Sequence, residues 1–255
     1  MRAIGLAALA ASCLFSAWPA ACPAAVEAGG SLALTEDDVY RGVSLTCGHP
    51  AAQADLHVRH RGADYWAAFI GAWGSAGLSG APCGTAREVD LYAGFSLALN
   101  PNLSTTLTYT RYTFPGGGYG NPHLSGDRYD YDQIGMSWSF WERLYLTVAW
   151  TPDALYYERY PGGKVETEQG RGAFAYGAEW HQPLLSWLSL TAGAGYDRMA
   201  DPFGTGYAFW SLGLTHLAGP WELDLGYFHT ADRAVRLFGP DSAGGRVSAT
   251  VLWRF

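Results

Sequence analysis

The chain has 255 residues, a net charge of −7, 15% charged and 15% aromatic residues, and 33 glycines. No basic surplus marks a nucleic-acid binder, and no apolar run reaches the length of a membrane-spanning helix. A mean hydropathy of −0.04 beside 11 Trp and 16 Tyr is odd for a soluble enzyme of this size. It is ordinary for a membrane barrel with one apolar face, one polar face and aromatic girdles.

The chain begins with Met1 and Arg2, followed by an apolar run over residues 3–16 and small residues through Ala28. This is the pattern of a secretory signal peptide, too short to span a bilayer. Cleavage is expected after Ala24 or Ala28, giving a signal peptide over residues 1–28 and one exported domain over 29–255. Neither Cys13 nor Cys22 follows a leucine-led lipobox, so no lipid anchor is expected.

Twelve segments of period-two alternation follow, at 31–42, 52–60, 63–74, 87–99, 103–114, 129–140, 143–152, 172–182, 187–197, 206–217, 221–230 and 245–255. Each is long enough for a tilted membrane strand. In the clearest, Val89, Leu91, Phe95, Leu97 and Leu99 alternate with Glu88, Asp90, Tyr92, Gly94 and Ser96. Leu144, Leu146, Val148 and Trp150 alternate in the same way with Tyr145, Thr147, Ala149 and Thr151. No helix-period segment of useful length appears after the leader.

The connections sort by length. Tight ones fall at Arg61-Gly62, Asn100-Pro101-Asn102, Trp141-Glu142, 183–186 and Ala218-Gly219-Pro220, and long ones at 43–51, 75–86, 115–128, 153–171, 198–205 and 231–244. Short turns on one side and long loops on the other are the bacterial outer-membrane pattern, with the short turns periplasmic. The expected fold is therefore all-β: a transmembrane, antiparallel, up-and-down β-barrel of about twelve strands, both termini periplasmic, in the outer membrane. Trp138, Trp187, Trp221 and Trp253 are expected near the periplasmic interface, and Trp73, Trp150 and Trp210 near the outer one. Ordinary packing explains any single Trp, whereas two bands favour a membrane.

The final strand, RVSATVLWRF, places Val247, Ala249, Val251, Trp253 and Phe255 on one face. A terminal Phe behind such an alternation resembles the assembly signal of Gram-negative outer-membrane barrels. The expected partners are the barrel assembly machinery, through Phe255, together with outer-membrane lipids and lipopolysaccharide. No nucleic acid is expected.

Cys47 and Cys83 survive processing and fall in the first two outer loops. In an oxidising compartment a stapling disulfide between them is expected, two unpaired thiols being the alternative.

The sequence holds no GxSxG, HExxH, CxxC or phosphate-cradling loop, so no catalytic residue, metal site or cofactor is expected. The run Gly116-Gly117-Gly118-Tyr119-Gly120 reads as a loop tip. His181 and Glu179 read as a structural pair rather than a catalytic dyad. Asp127, Asp130 and Asp132 read as a solvated acidic rim rather than a calcium site. The alternation turns Asp55, His57, Arg59, Glu88, Asp90, Glu179, Asp197, Glu222, Asp224, Arg246 and Arg254 inward, with Arg41 among them. Arg41, Glu88, Asp90, Glu179 and Asp224 are the candidate lumen or solute-binding residues, Arg41 pairing with Asp90 or Glu88. Such charges either fill a plug or line a narrow aqueous path.

The stretch Tyr40-Arg41-Gly42-Val43-Ser44 resembles, in compressed form, the Tyr-x-x-Arg-Gly-hydrophobic-Ser region that opens a proteobacterial family of conserved hypothetical proteins, the Gcw_chp-type family. PAAQADL (50–56), FIGAWGS (69–75), EVDLYAGF (88–95) and YTRYTFPGG (109–117) occur in the order of that family's segments. The resemblance covers mainly residues 30–155 and implies an outer-membrane barrel-like protein without an established activity.

The leading functional expectation is a small porin-like channel for small polar solutes, without catalysis. A lipid A- or phospholipid-modifying barrel enzyme and a closed structural or surface-interaction barrel are the alternatives.

Overall fold

The structure is a computed structural model that describes residues 25–62, 65–78, 87–115, 130–159, 165–199 and 206–255. Residues 1–24 of the expected 1–28 leader, Cys83, the glycine-rich tip at 116–120 and Asp127 lie outside the described residues, whereas residues 25–28 belong to the first barrel strand.

Twelve long strands close into one barrel. They are β1 Ala25–Thr35, β4 Ala51–Arg61, β5 Trp66–Gly77, β6 Arg87–Asn100, β7 Leu103–Thr113, β8 Tyr131–Phe140, β9 Leu144–Arg159, β10 Val165–Leu185, β11 Leu188–Arg198, β12 Gly206–Ala218, β13 Trp221–Thr230 and β14 Arg246–Arg254. Two short strands, β2 Val39–Tyr40 and β3 Val43–Ser44, pair only with each other. Each barrel strand is antiparallel to its neighbours, and β1 pairs with β14 through Ser31↔Arg254 to Thr35↔Thr250. That last pairing removes the sheet edges, which lipid does not tolerate.

The register follows the alternation. On β6, Glu88, Asp90 and Ser96 are buried inside while Val89, Leu91, Phe95 and Leu99 are exposed outside. Leu32, Leu56, Ile70, Leu107, Leu212, Leu225 and Val251 extend the exposed apolar belt around the barrel. Trp221, Trp253 and Phe255 form an aromatic ladder where the barrel closes, with successive ring centroids 6.3 and 4.9 Å apart. Trp73 departs from the expected outer girdle: it is 5% exposed and shares the inner row of β5 with Ser75. Its cross-strand partner Asp90 is inward, and paired residues in a sheet share a face.

Three elements differ from the expectation. The first strand ends at Thr35 rather than continuing to residue 42, because residues 36–50 leave the sheet. The expected loop at 153–171 is mostly an extension of the β9–β10 hairpin, paired from Arg171↔Asp153 to Val165↔Arg159. The loop at 231–244 contains a short helix, α1 Asp232–Phe238, where no helix was expected. Its seven residues make fewer than two full turns, too few for a periodic signal in the sequence. The tight turn at Trp141-Glu142 holds φ of 53° and 56°. Two successive left-handed residues are the two-residue hairpin geometry that matches strand twist.

Candidate functional site

The site is built by the residues that leave the sheet. After Thr35, the run Glu36-Asp37-Asp38 turns inward, and β2 and β3 form a small hairpin around Arg41-Gly42. Both tip residues have positive φ, 50° and 78°, again a primed two-residue turn. A Cβ at Gly42 would sit 2.6 Å from Thr230 Cγ2 and 3.0 Å from Phe209 Cβ, so backbone conformation and space both demand glycine. Arg41 takes a left-handed conformation despite its side chain, a strain that the surrounding contacts must hold.

Those contacts span the barrel. Arg41 Nη1 donates to Asp197 Oδ2 on β11 at 2.9 Å, and Nη2 donates to Gln133 Oε1 on β8 at 3.4 Å. Its guanidinium carbon also lies 4.7 Å from the ring centroid of Tyr40. Tyr40 approaches Tyr112 at 6.5 Å, and Tyr112 stacks on Tyr131 at 4.5 Å. Tyr112 OH and Gln133 complete the group, with Gln133 Nε2 donating to Thr151 Oγ1 at 3.1 Å. A cation tip and an aromatic wall therefore meet inside the outer half of the lumen. The expectation that Arg41 pairs with Asp90 or Glu88 is corrected: the carboxylate that it bonds is Asp197. The hairpin tip projects across the lumen instead of following the wall, so the Arg41 side chain bonds residues on β8 and β11 rather than carboxylates on the nearer β6.

The root of the hairpin is fixed by Asp37. Its carboxylate accepts from Ser44 Oγ, from Thr46 Oγ1 at 3.0 Å, from the Gly48 amide at 3.3 Å and from Arg246 Nη1 at 2.8 Å. Its backbone bonds Ser248 Oγ in both directions, at 3.2 and 2.9 Å. Asp38 accepts from Ser75 Oγ at 2.6 Å. Around the opposite side of the hairpin, Val43, Tyr207, Phe209, Ala234 and Ala243 form a small apolar cluster under Val235 and Phe238. The Ser44 amide donates to Ser242 O at 2.7 Å, so the first and last outer loops close on each other over the mouth. Cys47 Sγ lies 3.3 Å from Ser242 Oγ in the same seam. The expected bond to Cys83 involves a residue outside the described ones.

The other lumen carboxylates make contacts of their own. Glu88, Asp90 and Glu179 are buried on the inner face, as expected, but the described hydrogen bonds do not bring them together with Arg41. Asp224 accepts from Thr215 Oγ1 at 2.6 Å, and Glu222 bonds Arg254. Glu179 bonds His181, whose ring packs edge-on against Tyr145 at 5.2 Å. Asp55 holds Tyr92 OH and His57 Nδ1, each at 2.7 Å. Asp130 and Asp132 both pair with Arg111, at 3.4 and 3.2 Å, so two carboxylates of the acidic rim share one cation of their own chain. Among the described residues no group of three His, Cys, Asp or Glu is placed to hold a metal.

Sequence reasoning missed Asp37, Asp38, Gln133, Tyr112 and Tyr131. The tyrosines and Gln133 occupy inward positions of well-predicted strands, so the alternation carried their direction but not their convergence on Arg41. The acidic pair at 37–38 was hidden inside an expected strand.

No curated protein matches this sequence. Among solved structures, the barrel is similar to the COG4313 outer membrane channel from Pseudomonas putida F1, at 11% identity and a TM-score of 0.52, covering 94% of this chain and 97% of that one. It is also similar to a membrane protein from work on in-meso crystallization, at 10% identity and a TM-score of 0.58, covering 89% and 83%. The KdgM porin aligns over 90% of this chain and 99% of its own, at 8% identity and a TM-score of 0.48. These likenesses concern the fold. In sequence, residues 19–250 match the family described as bacterial protein of unknown function, Gcw_chp, well beyond the 30–155 carried by the motifs; the chain belongs to that family.

Proposed function

We propose that this protein is a narrow outer-membrane channel for small polar solutes, constricted by its own first outer loop and without catalytic activity. The observation that carries this reading is the Arg41-tipped hairpin, which projects across the lumen and ends in polar contacts with Asp197 and Gln133. A barrel that served only as a wall would gain more from an apolar or fully packed plug, because buried charges cost desolvation free energy. A charged, aromatic constriction instead discriminates among solutes by sign and size.

The non-enzymatic part rests on how the strand histidines are used. His181 is held by Glu179 and His57 by Asp55. His60 and His216 pack against Trp66 and Trp187 at 5.4 and 5.3 Å, and His229 packs between Trp210 and Tyr227. None of these contacts is the serine–histidine–acid arrangement that acyl transfer needs.

The apolar cluster under α1, with the Ser44–Ser242 seam beside it, favours a second reading, a barrel closed at its mouth. Planar-bilayer recording of refolded protein separates the two. The channel reading expects discrete conductance in the wild type, larger when residues 39–44 are replaced by a short glycine linker. Silence from both proteins, with both correctly folded, would leave the closed barrel standing.

A further inference from the structure

Arg59 sits on the inner row of β4, near the periplasmic end of the barrel, with a side chain only 6% exposed. Its Nε, Nη1 and Nη2 are all buried without a hydrogen-bond partner among the described residues. The carboxylate within ion-pair range, Glu27 Oε2, is 3.9 Å away. That carboxylate is already engaged, since Arg61 Nη2 donates to both of its oxygens at 3.1 Å. Two guanidinium groups therefore share one carboxylate, and Arg61 Nε is also unpartnered. A buried cation with every donor idle is costly, and such groups in native proteins call for a partner that completes them.

We infer that Arg59 forms an anion-binding subsite in the inner half of the lumen, and that its ligand is a small organic carboxylate with a flat apolar body. The planar fork of a guanidinium matches the two oxygens of a carboxylate. The wall beside it supplies the apolar half of the match. Phe69 is the cross-strand partner of Arg59, and its ring centroid lies 6.2 Å from that of Tyr92. Phe69 lies so close to Gly94 that a Cβ there would meet its Cζ at 2.3 Å, so only glycine at 94 leaves room for the ring beside Arg59. The acidic residue farther along the same row, Asp55, is occupied by Tyr92 and His57 and does not compete for Arg59. A solute that has passed the Arg41 constriction would meet a second cation here, one that differs in bonding: Arg41 is bonded to Asp197 and Gln133, whereas Arg59 has no hydrogen-bond partner among the described residues.

The physiological meaning of the subsite rests on the channel reading, but its test does not. Protein comprising residues 25–255, refolded in detergent, is titrated with sodium benzoate against chloride at constant ionic strength while its thermal unfolding is followed. Ligand that binds only the folded barrel raises the unfolding temperature with saturation. The wild type should show this rise, and Arg59→Met should weaken the apparent affinity at least tenfold. Without benzoate, Arg59→Met should unfold no lower than the wild type, since it removes a buried charge that lacks a partner. Arg59→Gln provides the same comparison should the Met variant fail to refold. Absence of any benzoate effect in the wild type, or an equal effect in wild type and variant, overturns the subsite. Conductance without benzoate binding defeats this inference alone, whereas benzoate binding without conductance defeats the channel alone.

Discussion

Arg41 Nη1 and Asp197 Oδ2 are 2.9 Å apart although 156 residues separate them in sequence. Asp197 lies on β11, four strands from β1 around the closing side of the barrel, and Gln133 lies on β8, reached the other way round. One side chain thus ties the first outer loop to both walls of the lumen. The side chains are 12% and 16% exposed, so the pair is shielded from most screening. Replacing Arg41 by Ala leaves Asp197 without that cation and frees the hairpin tip. The expected result is a fall in stability of about 1–3 kcal/mol, with single-channel conductance raised and ion selectivity moved toward cations. Unchanged stability together with unchanged conductance would falsify the latch.

Gly42 tests the same device through the backbone. Its φ of 78° and the 2.6 Å approach of a Cβ to Thr230 Cγ2 combine conformational and steric cost. Gly42→Ala should lower stability by about 1–3 kcal/mol. Gly48→Ala is the matched control: φ is 73° but nothing lies within 4 Å of a Cβ, so only backbone strain remains. Protease sensitivity of the first outer loop, measured on folded barrels, should rise clearly in the first variant and less in the second. Equal effects would mean that packing against Thr230 and Phe209 contributes nothing.

The barrel itself was legible because membrane strands write their direction into every second residue. Leu91 and Phe95 could only face lipid, and Glu88 and Asp90 could only face inward, whatever the rest of the chain did. The lumen was less legible. Whether Arg41 reaches Asp90 or Asp197 depends on barrel shear and on a loop that leaves the wall, and neither has a local sequence signal. Asp37 shows the same limit. Its partners Ser44 and Thr46 are near in sequence, but Arg246 and Ser248 arrive from the far end of the chain. A pattern read within one strand cannot name them.

The register of β9 can be tested directly. Leu146 pairs with Trp138 and Ala178 on the outer face, and Thr147 pairs with Ser137 and Gly177 on the inner one. Leu146→Arg should cost about 2–4 kcal/mol in a lipid-vesicle folding titration if the site is near mid-bilayer. Thr147→Arg, which points into the lumen, should cost distinctly less. Similar losses in the two variants would contradict the assigned faces.

The orientation and the staple make a joint prediction. With both termini at the short-turn end, tags inserted near Gly117 should be labelled on intact cells and tags near Asn102 should not. We further propose that Cys47 and Cys83 are bonded across the first two outer loops, closing a loop whose ordering adds about 2–4 kcal/mol. Thiol alkylation of purified mature protein should then require prior reduction. Ready alkylation before reduction, or surface labelling at Asn102, would reverse the respective claim.

Asp37 is the position where a single atom change should disturb the site most. Its carboxylate is 3% exposed and gathers Ser44, Thr46, the Gly48 amide and Arg246 around two oxygens. Asp37→Asn keeps the size but replaces one acceptor oxygen by a donor and removes the charge opposite Arg246, whose own side chain is 11% exposed. Losing one member of a buried pair is strongly destabilising, by about 3–5 kcal/mol. Here the loss falls on the hairpin root, so the strands should stay paired while the hairpin detaches. Circular dichroism should therefore keep its β signature, and conductance should rise toward that of the 39–44 linker variant. A second change, Arg246→Gln, should recover part of the loss, because it removes the cation that Asp37→Asn strands. If the double variant is no better than Asp37→Asn alone, Arg246 is not the partner that makes Asp37 indispensable, and the hydroxyl and amide donors hold the root by themselves.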